Sequence, residues 1–515
     1  MTDAQVIVVG AGPVGLTAAL LLARWGVRVL VVDQRPGREP AGSRSICQQR
    51  DVLDIWAACG AGRIAEEGLA WTTARTYYRG EELFSWTFGG PPGEGALPAC
   101  VNLSQTRTEE ILDAALAAQP LAELRWDHQV TGLEQDGERV TVRCGERVLR
   151  APYAVLCAGS RAEGLRRALG VTFDGESFAD RFLICDIRAD LPGWEHERRF
   201  HFDPVWNPGR QVLIHPCPGS TYRIDWQIPS HSAPTGEEVA EKIRMIVGDR
   251  DYELLWQTTY RFHARVASRM RAGRVLLAGD CAHLVAPFGA RGLNSGVPDA
   301  ENAAWKLAFV LNGWAPEDLL ETYHLERHAA ALENLEVTAA TMRFLAPRTD
   351  EERARRRAAL EEALATGRPA GVDSGRFAEP FWYVDSPLTT PDPGRPFRGR
   401  PAKGASCDPG PGVILPDLPV PGGRLRQSCR NGFLILLGEM CDSGLFAQVL
   451  GKVCTAPLAV RELAEMDGFG KLAERLGAGP GEAWIVRPDA HIAATIPHAG
   501  PESVAAAVRR ASRLS

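Results

Sequence analysis

Short apolar runs and amphipathic helical stretches alternate in the first part of the chain. Val6–Val9 and Val29–Val32 are continuous aliphatic runs, which is the pattern of strands buried on both faces of a parallel sheet. The helical stretch LTAALLLARWG separates them, and residues 153–157 form another apolar run. This order of strands and helices predicts an α/β domain with a Rossmann-like sheet in residues 1–175.

The pattern changes between residues 176 and 270, where short alternating segments and turns predict an antiparallel sheet inserted into the first domain. Residues 211–215 and 222–228 are predicted to pair across Pro218-Gly219-Ser220. On the second of these strands Tyr222, Ile224, Trp226 and Ile228 share one face, and Arg223, Asp225 and Gln227 share the other. Either face could line a pocket. For His215 and Trp206 we favour a core or rim position.

The dinucleotide domain is expected to resume at residues 271–345. A buried strand is predicted for 275–278, and helices for 300–312 and 319–341. Residues 346–394 are interpreted as a helix followed by a linker rich in Pro and Gly. A last domain is expected at 395–515, with strands at 433–437 and 483–489 and helices at 445–449, 458–465 and 504–513.

Composition limits the possible partners. The net charge of −6 and the pI near 6.1 argue against nucleic acid or an anionic membrane surface as a partner. No apolar run reaches the length of a membrane span, and the N-terminus MTDAQVIVVGAG enters a strand directly, so a cytoplasmic protein is expected. The twelve cysteines include no CxxC pair, which suits a reducing compartment.

The first candidate site is the turn after the first strand. It reads Gly10-Ala11-Gly12-Pro13-Val14-Gly15. Glycines at these spacings allow a tight turn, close approach of a pyrophosphate, and close packing of helix on strand. The second strand ends at Asp33, where an acid suits an adenosine ribose that carries no 2′-phosphate. The sequence therefore predicts a site for FAD or NAD.

The second candidate site is GDCAHLVAPFGARGLNSG, at residues 279–296, which directly follows the apolar run 275–278. Asp280 is expected at the carboxyl end of a strand, where open α/β sheets place their ligand crevice. Gly289, Gly292 and Gly296 would allow the backbone to approach a flat ligand. The amides of Gly292, Leu293 and Asn294 would open a helix and offer unpaired donors to an electron-rich ring.

Two arginines follow the second strand. Arg35 is interpreted as a phosphate contact or a solvated side chain, and Arg44 as a contact to a phosphate or a flavin edge. A helix is predicted for residues 104–118, with Ser104 as its N-cap and Gln105 beside it.

Together, GAGPVGL at 10–16, Asp33, Arg44, Gln105 and GDCAHLVAPFGARGLN at 279–294 resemble the single-component flavoprotein aromatic monooxygenases. Within this para-hydroxybenzoate hydroxylase-like class, the sequence is most similar to the branch of 3-(3-hydroxyphenyl)propionate hydroxylase and phenol hydroxylase. The resemblance extends over most of residues 1–345 and includes RIDWQ at 223–227. It indicates the class and leaves the substrate open.

The resemblance implies a role for each matching residue. Gly10, Gly12 and Gly15, with Pro13 and Val14 between them, would hold the FAD pyrophosphate. Asp33, with Gln34 and Arg35, would lie at the adenosine end, and Gly279 and Asp280 would lie at the ribityl chain. Arg44 and Gln105 would contact FAD. Gly292, Leu293 and Asn294 would face the pyrimidine edge of the flavin. Pro287 would lie over its oxygen-reacting carbon, which makes Pro287 and Arg44 the candidate catalytic residues.

The activity implied by the resemblance is hydroxylation of a phenolic or related small aromatic substrate. In such enzymes NADPH or NADH reduces FAD, and O2 then reacts through a flavin C4a-hydroperoxide. A Baeyer–Villiger or epoxidising monooxygenase acting on a polycyclic compound remains an alternative, as does a flavin-binding reductase or sensor. A monomer or a homodimer is equally compatible with the sequence, and no metal site is expected.

Three features depart from the pattern or invite another interpretation. The family pattern has Asp-Gly after the strand at 153–157, whereas this chain has Ala158-Gly159, which makes reduction by NAD(P)H less secure than FAD binding. Arg161 and Arg166 nearby are interpreted as surface charges. HLERH at 324–328 is interpreted as a solvated, salt-bridged helix face, because its glutamate is misplaced for HExxH.

The C-terminal region resembles the thioredoxin-like domain of the phenol hydroxylase branch, in which endings of the RPDxH type recur. Its cysteines are too widely spaced for a redox pair. We therefore expect a structural domain.

Overall fold

The computed structural model describes residues 2–38, 44–87, 96–369, 371–372, 379–401, 407–467 and 470–514. In these ranges the strands are β1 (Val6–Val9), β2 (Val29–Val32), β3 (Cys47–Gln49), β4 (Thr73–Tyr78), β5 (Glu81–Thr87), β6 (Cys100–Asn102), β7 (Ala122–Arg125), β8 (Gly132–Gln135), β9 (Val140–Cys144), β10 (Arg147–Ala151), β11 (Tyr153–Leu156), β12 (Phe173–Ala189), β13 (Glu197–Phe202), β14 (Gln211–Cys217), β15 (Thr221–Ile228), β16 (Tyr252–Ala267), β17 (Arg271–Ala272), β18 (Val275–Leu277), β19 (His283–Leu284), β20 (Pro419–Val420), β21 (Gly423–Arg424), β22 (Phe433–Leu437), β23 (Leu458–Glu462), β24 (Ala483–Val486) and β25 (Ile492–Ile496).

The α-helices in the same ranges are α1 (Pro13–Arg24), α2 (Arg50–Ala58), α3 (Arg63–Glu67), α4 (Gln105–Ala117), α5 (Glu163–Ala168), α6 (Gly236–Val247), α7 (Arg291–Leu311), α8 (Glu321–Leu345), α9 (Asp350–Thr366), α10 (Leu425–Cys429), α11 (Ser443–Val453), α12 (Leu463–Met466), α13 (Leu472–Leu476) and α14 (Pro501–Ser512). Short 3-10 helices cover Gly279–Cys281 and Glu317–Leu320. None of the helices in the described ranges is both long enough and apolar enough to cross a membrane.

The dinucleotide domain is built on a six-stranded sheet in the order β17-β18-β11-β1-β2-β7. Its strands are parallel except for β17 at one edge. The side chains of β1, β2 and β11 are buried, as the continuous apolar runs predict for a sheet covered on both faces. Helices α4 and α7 pack against α1. The predicted Rossmann-like α/β fold is confirmed.

A second, eight-stranded sheet has the order β19-β16-β12-β15-β14-β13-β4-β5. Neighbouring strands are antiparallel except for β13 and β4. The predicted pairing of β14 with β15 is confirmed, and its turn uses positive φ angles at Gly219 and Ser220. Strands β4, β5 and β19 join this sheet from outside residues 176–270.

The two faces of this sheet have different surroundings. Tyr222, Ile224, Trp226 and Ile228 form an apolar cluster with α6. Because side chains alternate along a strand, Arg223, Asp225 and Gln227 face the other way, toward the dinucleotide domain. The apolar face is therefore occupied by α6, which leaves the polar face as the candidate for lining a pocket.

The C-terminal domain contains a mixed sheet in the order β23-β22-β24-β25. Helices α11 and α14 cover one face, and α10, α12 and α13 cover the other. The helix predicted for 458–465 is wrong for most of its length, because residues Leu458–Glu462 pair in parallel with β22 and only Leu463–Met466 is helical. Pairing with a central strand outweighed local preference there. The thioredoxin-like assignment stays a prediction.

Buried ion pairs join the C-terminal domain to α7 and α8. Arg487 donates to both oxygens of Glu326, at 2.6 and 2.9 Å, and to Asp489 at 2.6 Å. Lys306 donates to the same glutamate at 2.6 Å. The four side chains are buried. The salt bridging predicted for the helix face at 324–328 is confirmed. The prediction that this face is solvated is wrong for Glu326, whose side chain is buried in this network.

Candidate functional site

The glycine turn after β1 contains two glycines that the packing requires and one that borders open space. A Cβ atom on Gly10, whose φ is +108°, would lie 2.3 Å from the carbonyl oxygen of Cys157, and one on Gly15 would lie 1.9 Å from the carbonyl oxygen of Gly10. A Cβ on Gly12 would meet no described atom within 4 Å. Gly10 and Gly15 are therefore required by the protein's own packing, whereas Gly12 borders open space beside the start of α1.

Asp33 lies at the end of β2 and is tied to this turn. Its Oδ2 accepts the amide of Ala11 at 2.7 Å, and its Oδ1 accepts the amide and Nε of Arg35, both at 2.9 Å. Burial favours the protonated form, but the hydrogen bonds from Arg35 and Ala11 outweigh it and lower the pKa of Asp33. Arg35 thus stabilises an ionised carboxylate, and its neighbour Gln34 is exposed.

Asp280 lies in the short helix that follows β18, on the same edge of the sheet as Gly10 and Asp33. The carboxyl ends of parallel strands meet at this edge, where such sheets bind ligands. Its side chain is accessible to solvent, while the protein atoms around the cleft raise its pKa by desolvation, against the opposing effect of His283 and Arg44. Among the described residues, no group donates a hydrogen bond to this carboxylate.

Two buried side chains fix the turn that carries Asp280. Asp299 of α7 accepts the amide of Gly279 at 3.0 Å and Nε2 of His283 at 2.7 Å. Arg166 donates to the carbonyl oxygen of Cys281 at 3.1 Å. Arg166 is buried, so its interpretation as a surface charge is wrong, whereas Arg161 is exposed as expected.

Arg44 and Gln105 lie close to each other, next to the start of α4. Arg44 is close enough to act on two titratable groups, the carboxyl of Asp280 and the hydroxyl of Tyr260 on β16. Gln105 accepts the amide of Ser45 at 3.2 Å, next to Arg44. Ser104 caps α4 as predicted, by accepting the amide of Arg107. Segments distant in sequence therefore converge on one cleft.

The loop before α7 presents Pro287 to the cleft. Pro287 is exposed, whereas Ala286 and Phe288 on either side of it are buried. Its carbonyl oxygen accepts the amide of Ala290 at 2.8 Å, and Ala290 enters the helix with a left-handed φ of 56°. Backbone held in this region by a residue other than glycine is found mainly where the structure constrains it tightly.

The first turn of α7 includes Gly292, Leu293 and Asn294, as predicted. Amides in a first helical turn lack partners within the helix and carry the positive end of its dipole. The Asn294 side chain is used by the protein: its Oδ1 accepts the amide of Gln49, and its Nδ2 donates to the carbonyl oxygen of Cys47, both at 2.9 Å. This side chain therefore attaches β3 to the helix.

Gly279 and Gly296 have a packing role. A Cβ atom on Gly296 would lie 2.7 Å from a methyl carbon of Val14, and one on Gly279 would lie 3.1 Å from the same atom. Val14 of α1 thus fills the space between the two glycines. The expectation that Gly296 lets a flat ligand approach is wrong, because that side of the residue is occupied by α1.

Aromatic side chains pack together where the loop before α7 meets the eight-stranded sheet. Phe288 lies 5.6 Å from Phe182 and 6.5 Å from Phe200, measured between ring centroids. Trp71 and Trp86 form an edge-to-face pair, and Trp86 packs in the same cluster as Ala290. The loop that carries Pro287 thus meets the sheet through aromatic contacts.

The cleft meets the requirements of FAD. Gly12 leaves room for a pyrophosphate at a helix start, Asp33 offers an ionised acceptor to a ribose, and Asp280 offers one to a polyol chain. The first turn of α7, with unpaired amides at Gly292 and Leu293, follows Pro287 in the chain.

Replacing Asp280 with alanine is expected to weaken FAD binding roughly 10- to 150-fold, because a hydrogen bond to a charged group contributes about 1.5–3 kcal/mol. Asp280→Asn keeps one acceptor oxygen and should lose less. FAD titration of the apoprotein, followed by flavin fluorescence, measures both. An unchanged affinity in Asp280→Ala would remove this residue from the site.

Sequence reasoning missed Arg38 and the Asp299 cluster. Arg38 donates to the carbonyl oxygen of Ala11 at 2.8 Å and to Glu109 at 2.6 Å, and it pairs with Asp113. The four-residue spacing of Glu109 and Asp113 on α4 was the available signal, since it places both acids on one helix face. It did not identify their partner.

Comparison with known proteins agrees with this geometry. The family described as FAD binding domain matches residues 3–338. A relative, 3-(3-hydroxy-phenyl)propionate/3-hydroxycinnamic acid hydroxylase of Mycobacterium sp. (strain JLS), is 31% identical over 358 residues, which cover 67% of this chain and 61% of that protein. The chain thus matches less than two thirds of this relative's length.

Two solved structures share the fold over the whole chain. The flavin-dependent monooxygenase PieE, in complex with FAD and substrate, has a TM-score of 0.86 at 23% identity, with 100% of both chains covered. Aklavinone-11 hydroxylase, in a ternary complex with FAD and aklavinone, has a TM-score of 0.80 at 26% identity and covers 100% of this chain and 99% of its own. With the cleft described above, these matches show that the chain belongs to the FAD binding domain family and that its cofactor is FAD.

Proposed function

We propose that this protein is an FAD-dependent monooxygenase that uses NAD(P)H and O2 to hydroxylate a phenolic or related aromatic compound. The observation that carries the proposal is the position of the Pro287 loop, which leads from the FAD cleft to the aromatic residues of the eight-stranded sheet. The named activities of the relative and of aklavinone-11 hydroxylase, both aromatic hydroxylases, support it.

Each candidate residue has a proposed task in binding the cofactor. Gly10, Gly12 and Gly15 shape the pyrophosphate site, together with Pro13 and Val14. Asp33 binds the adenosine ribose and is held ionised by Arg35, beside Gln34. Gly279 and Asp280 bind the ribityl chain. Arg44 and Gln105 contact the flavin, and the amides of Gly292, Leu293 and Asn294 stabilise negative charge on its pyrimidine edge.

FAD held by these residues would supply the redox chemistry, namely hydride acceptance from NAD(P)H and activation of O2. The chain's own residues hold the substrate ring beside it. Pro287 and Phe288 form an apolar surface at the reacting side, and the aromatic side chains exclude water from the ring. Arg44, whose charge lies near Asp280 and Tyr260, is placed between the cofactor cleft and the substrate space.

The substrate class is tested by NAD(P)H oxidation. We expect slow oxidation by the holoprotein alone and a rate increase of about tenfold or more when a hydroxylated aromatic occupies the pocket, since positioned groups act only on bound substrate. Methyl ethers of the same compounds are the matched controls and should stimulate less. If no aromatic stimulates oxidation, the flavin reductase or sensor becomes the better assignment.

Aromatic substrates of two sizes should be included. The fold is shared over the whole chain with an enzyme crystallised with aklavinone, so a polycyclic substrate is the second candidate. Product NMR then separates ring hydroxylation from epoxidation and from oxygen insertion into a ring.

A further inference from the structure

Asp225 on β15 is a carboxylate whose surroundings do not satisfy it. Its Oδ1 atom is buried and, among the described residues, has no hydrogen-bond partner. Its Oδ2 atom lies 3.7 Å from Nε2 of His215 on β14, which is too long for a direct hydrogen bond. Nδ1 of His215 is also buried without a described partner. Because an unsatisfied buried polar group costs about 1–3 kcal/mol, this pair calls for a functional explanation.

Asp225 is not needed to balance the charge of its neighbour Arg223. Arg223, two residues earlier on the same face, donates from Nε and Nη2 to the two oxygens of Asp186 at 2.8 and 2.9 Å. That pair already balances its charge. The side chain of Asp225 remains 23% exposed.

The position of Asp225 relative to Pro287 follows from the sheet register. Asp225 is paired with Leu213 of β14, and Leu213 packs in the same apolar cluster as Ala286 and Phe288. Those two residues flank Pro287. Asp225 therefore lies on the face of the sheet that packs against the loop carrying Pro287.

The charged groups that face Asp225 come from four strands. Burial raises the pKa of Asp225 to about 6, with Asp186 adding to the increase and Arg223 and Arg198 opposing it. The pKa of His215 lies well below its ordinary value because of burial and of the same two arginines. Near neutral pH, Asp225 is thus a carboxylate and His215 is neutral.

Tyr260 on β16 completes the ionisable groups on this face. Burial raises the pKa of its hydroxyl, against the opposing charges of Arg44 and Arg223. Tyr260 therefore stays protonated at neutral pH and can donate a hydrogen bond but cannot act as a base there.

We propose that Asp225 is the base that accepts the proton of the substrate's ring hydroxyl, and that His215 is a positioning residue that orients this carboxylate. The inference rests on the proposed function. The O–H bond of the substrate breaks, an O–H bond forms on the carboxylate of Asp225, and the electron pair stays on the ring oxygen. No electrons are exchanged in this step. The phenolate that results lies near Arg223 and Arg198, and its ring is richer in electrons and more easily hydroxylated.

The kinetic test uses the FAD-loaded protein and a hydroxylated aromatic that stimulates NAD(P)H oxidation. Wild-type kcat/KM should rise with pH as a group with a pKa of about 6 ionises. Asp225→Asn should lose about 10²- to 10⁴-fold in kcat/KM, the usual contribution of a general base, and should lack this ascending limb. Asp225→Glu keeps a carboxylate and should recover part of the rate, which separates loss of the base from failure to fold.

Two further variants distinguish catalysis from packing. Asp186→Asn removes a nearby negative charge, so the ascending limb should persist but move to lower pH. His215→Gln should lower kcat more than it changes KM and should also move the limb. A purely structural role for these side chains would leave the pH of the limb unchanged.

An infrared pH titration gives a readout that needs no substrate. A carbonyl band of a protonated carboxyl should appear in the holoprotein as the pH falls through about 6, and it should be absent from Asp225→Asn. Persistence of the band or of the ascending limb in Asp225→Asn would overturn the proposal. If no aromatic is turned over, the proposed function fails and the base role fails with it, whereas the band still reports the ionisation of Asp225.

Discussion

Replacing Arg487 with methionine lowers the free energy of unfolding by about 3–5 kcal/mol, because it leaves buried carboxylates without their cation. Arg487 is fully buried and donates to both Glu326 and Asp489. Methionine fills a similar volume, so the loss reports charge pairing more than cavity formation. The shift is measured by urea unfolding followed by tryptophan fluorescence.

Arg167→Met is the matched control. Arg167 pairs with Glu163 on a helix surface, where both side chains are more than three quarters exposed, at 78% and 77%. Such a pair contributes about 0.5 kcal/mol or less. Equal shifts for the two variants would contradict the account of the domain junction.

The same network predicts how stability depends on pH. Burial alone would raise the pKa of Glu326, but Arg487 and Lys306 outweigh it and hold the pKa below its ordinary value. A depressed carboxyl pKa stabilises the fold above the unfolded value of about 4.3, and this contribution is lost as the pH falls below it. The difference in stability between wild type and Arg487→Met should therefore shrink under acidic conditions.

The second large effect concerns the glycine turn. Gly15→Ala should destabilise the apoprotein by about 3 kcal/mol or more, because the added carbon would lie 1.9 Å from the carbonyl oxygen of Gly10 and the close contact of β1 with α1 would have to open. Thermal unfolding of the FAD-free protein measures this loss.

Gly12→Ala is its counterpart. Gly12 has an ordinary extended conformation, with φ −79° and ψ 178°, and an added carbon meets no described atom. The apoprotein should therefore keep its stability to within about 1 kcal/mol, while FAD affinity falls at least about tenfold because the carbon enters the pyrophosphate space. Unchanged FAD affinity in Gly12→Ala would show that the pyrophosphate lies elsewhere.

The parts of the fold that the sequence predicted are those governed by local pattern. The buried runs at Val6–Val9 and Val29–Val32 became neighbouring parallel strands, because a continuous aliphatic run has few other stable environments. The same holds for the β14–β15 hairpin, whose turn residues and alternation agree. Local pattern also placed Asp33 and Asp280 at strand ends, on one edge of the sheet.

Pairings between distant segments could not be predicted in this way. Leu458–Glu462 has residues compatible with a helix, and only the adjacent strand β22 makes it a strand. Arg166 resembles a surface arginine until β18 brings the Cys281 carbonyl oxygen beside it. Glu326 likewise became buried through Arg487, which lies 161 residues away in the sequence.

The substrate side illustrates the same limit. The alternation along residues 222–228 defines two faces, but the sequence does not show what either face packs against. Helix α6 buries the apolar face, and this leaves Arg223 and Asp225 toward the cofactor cleft. The sequence alone does not predict which face is covered, because that depends on how α6 packs.

The central claim is that a reduced flavin in this cleft oxygenates an aromatic ring, and mass spectrometry under isotopically heavy oxygen gas tests it most directly. The holoprotein is incubated with NAD(P)H and the panel of hydroxylated aromatics, and the products are analysed. We expect one product whose ring carries a single heavy oxygen atom, formed only when NAD(P)H is present. Consumption of NAD(P)H with every aromatic recovered unlabelled would contradict the claim.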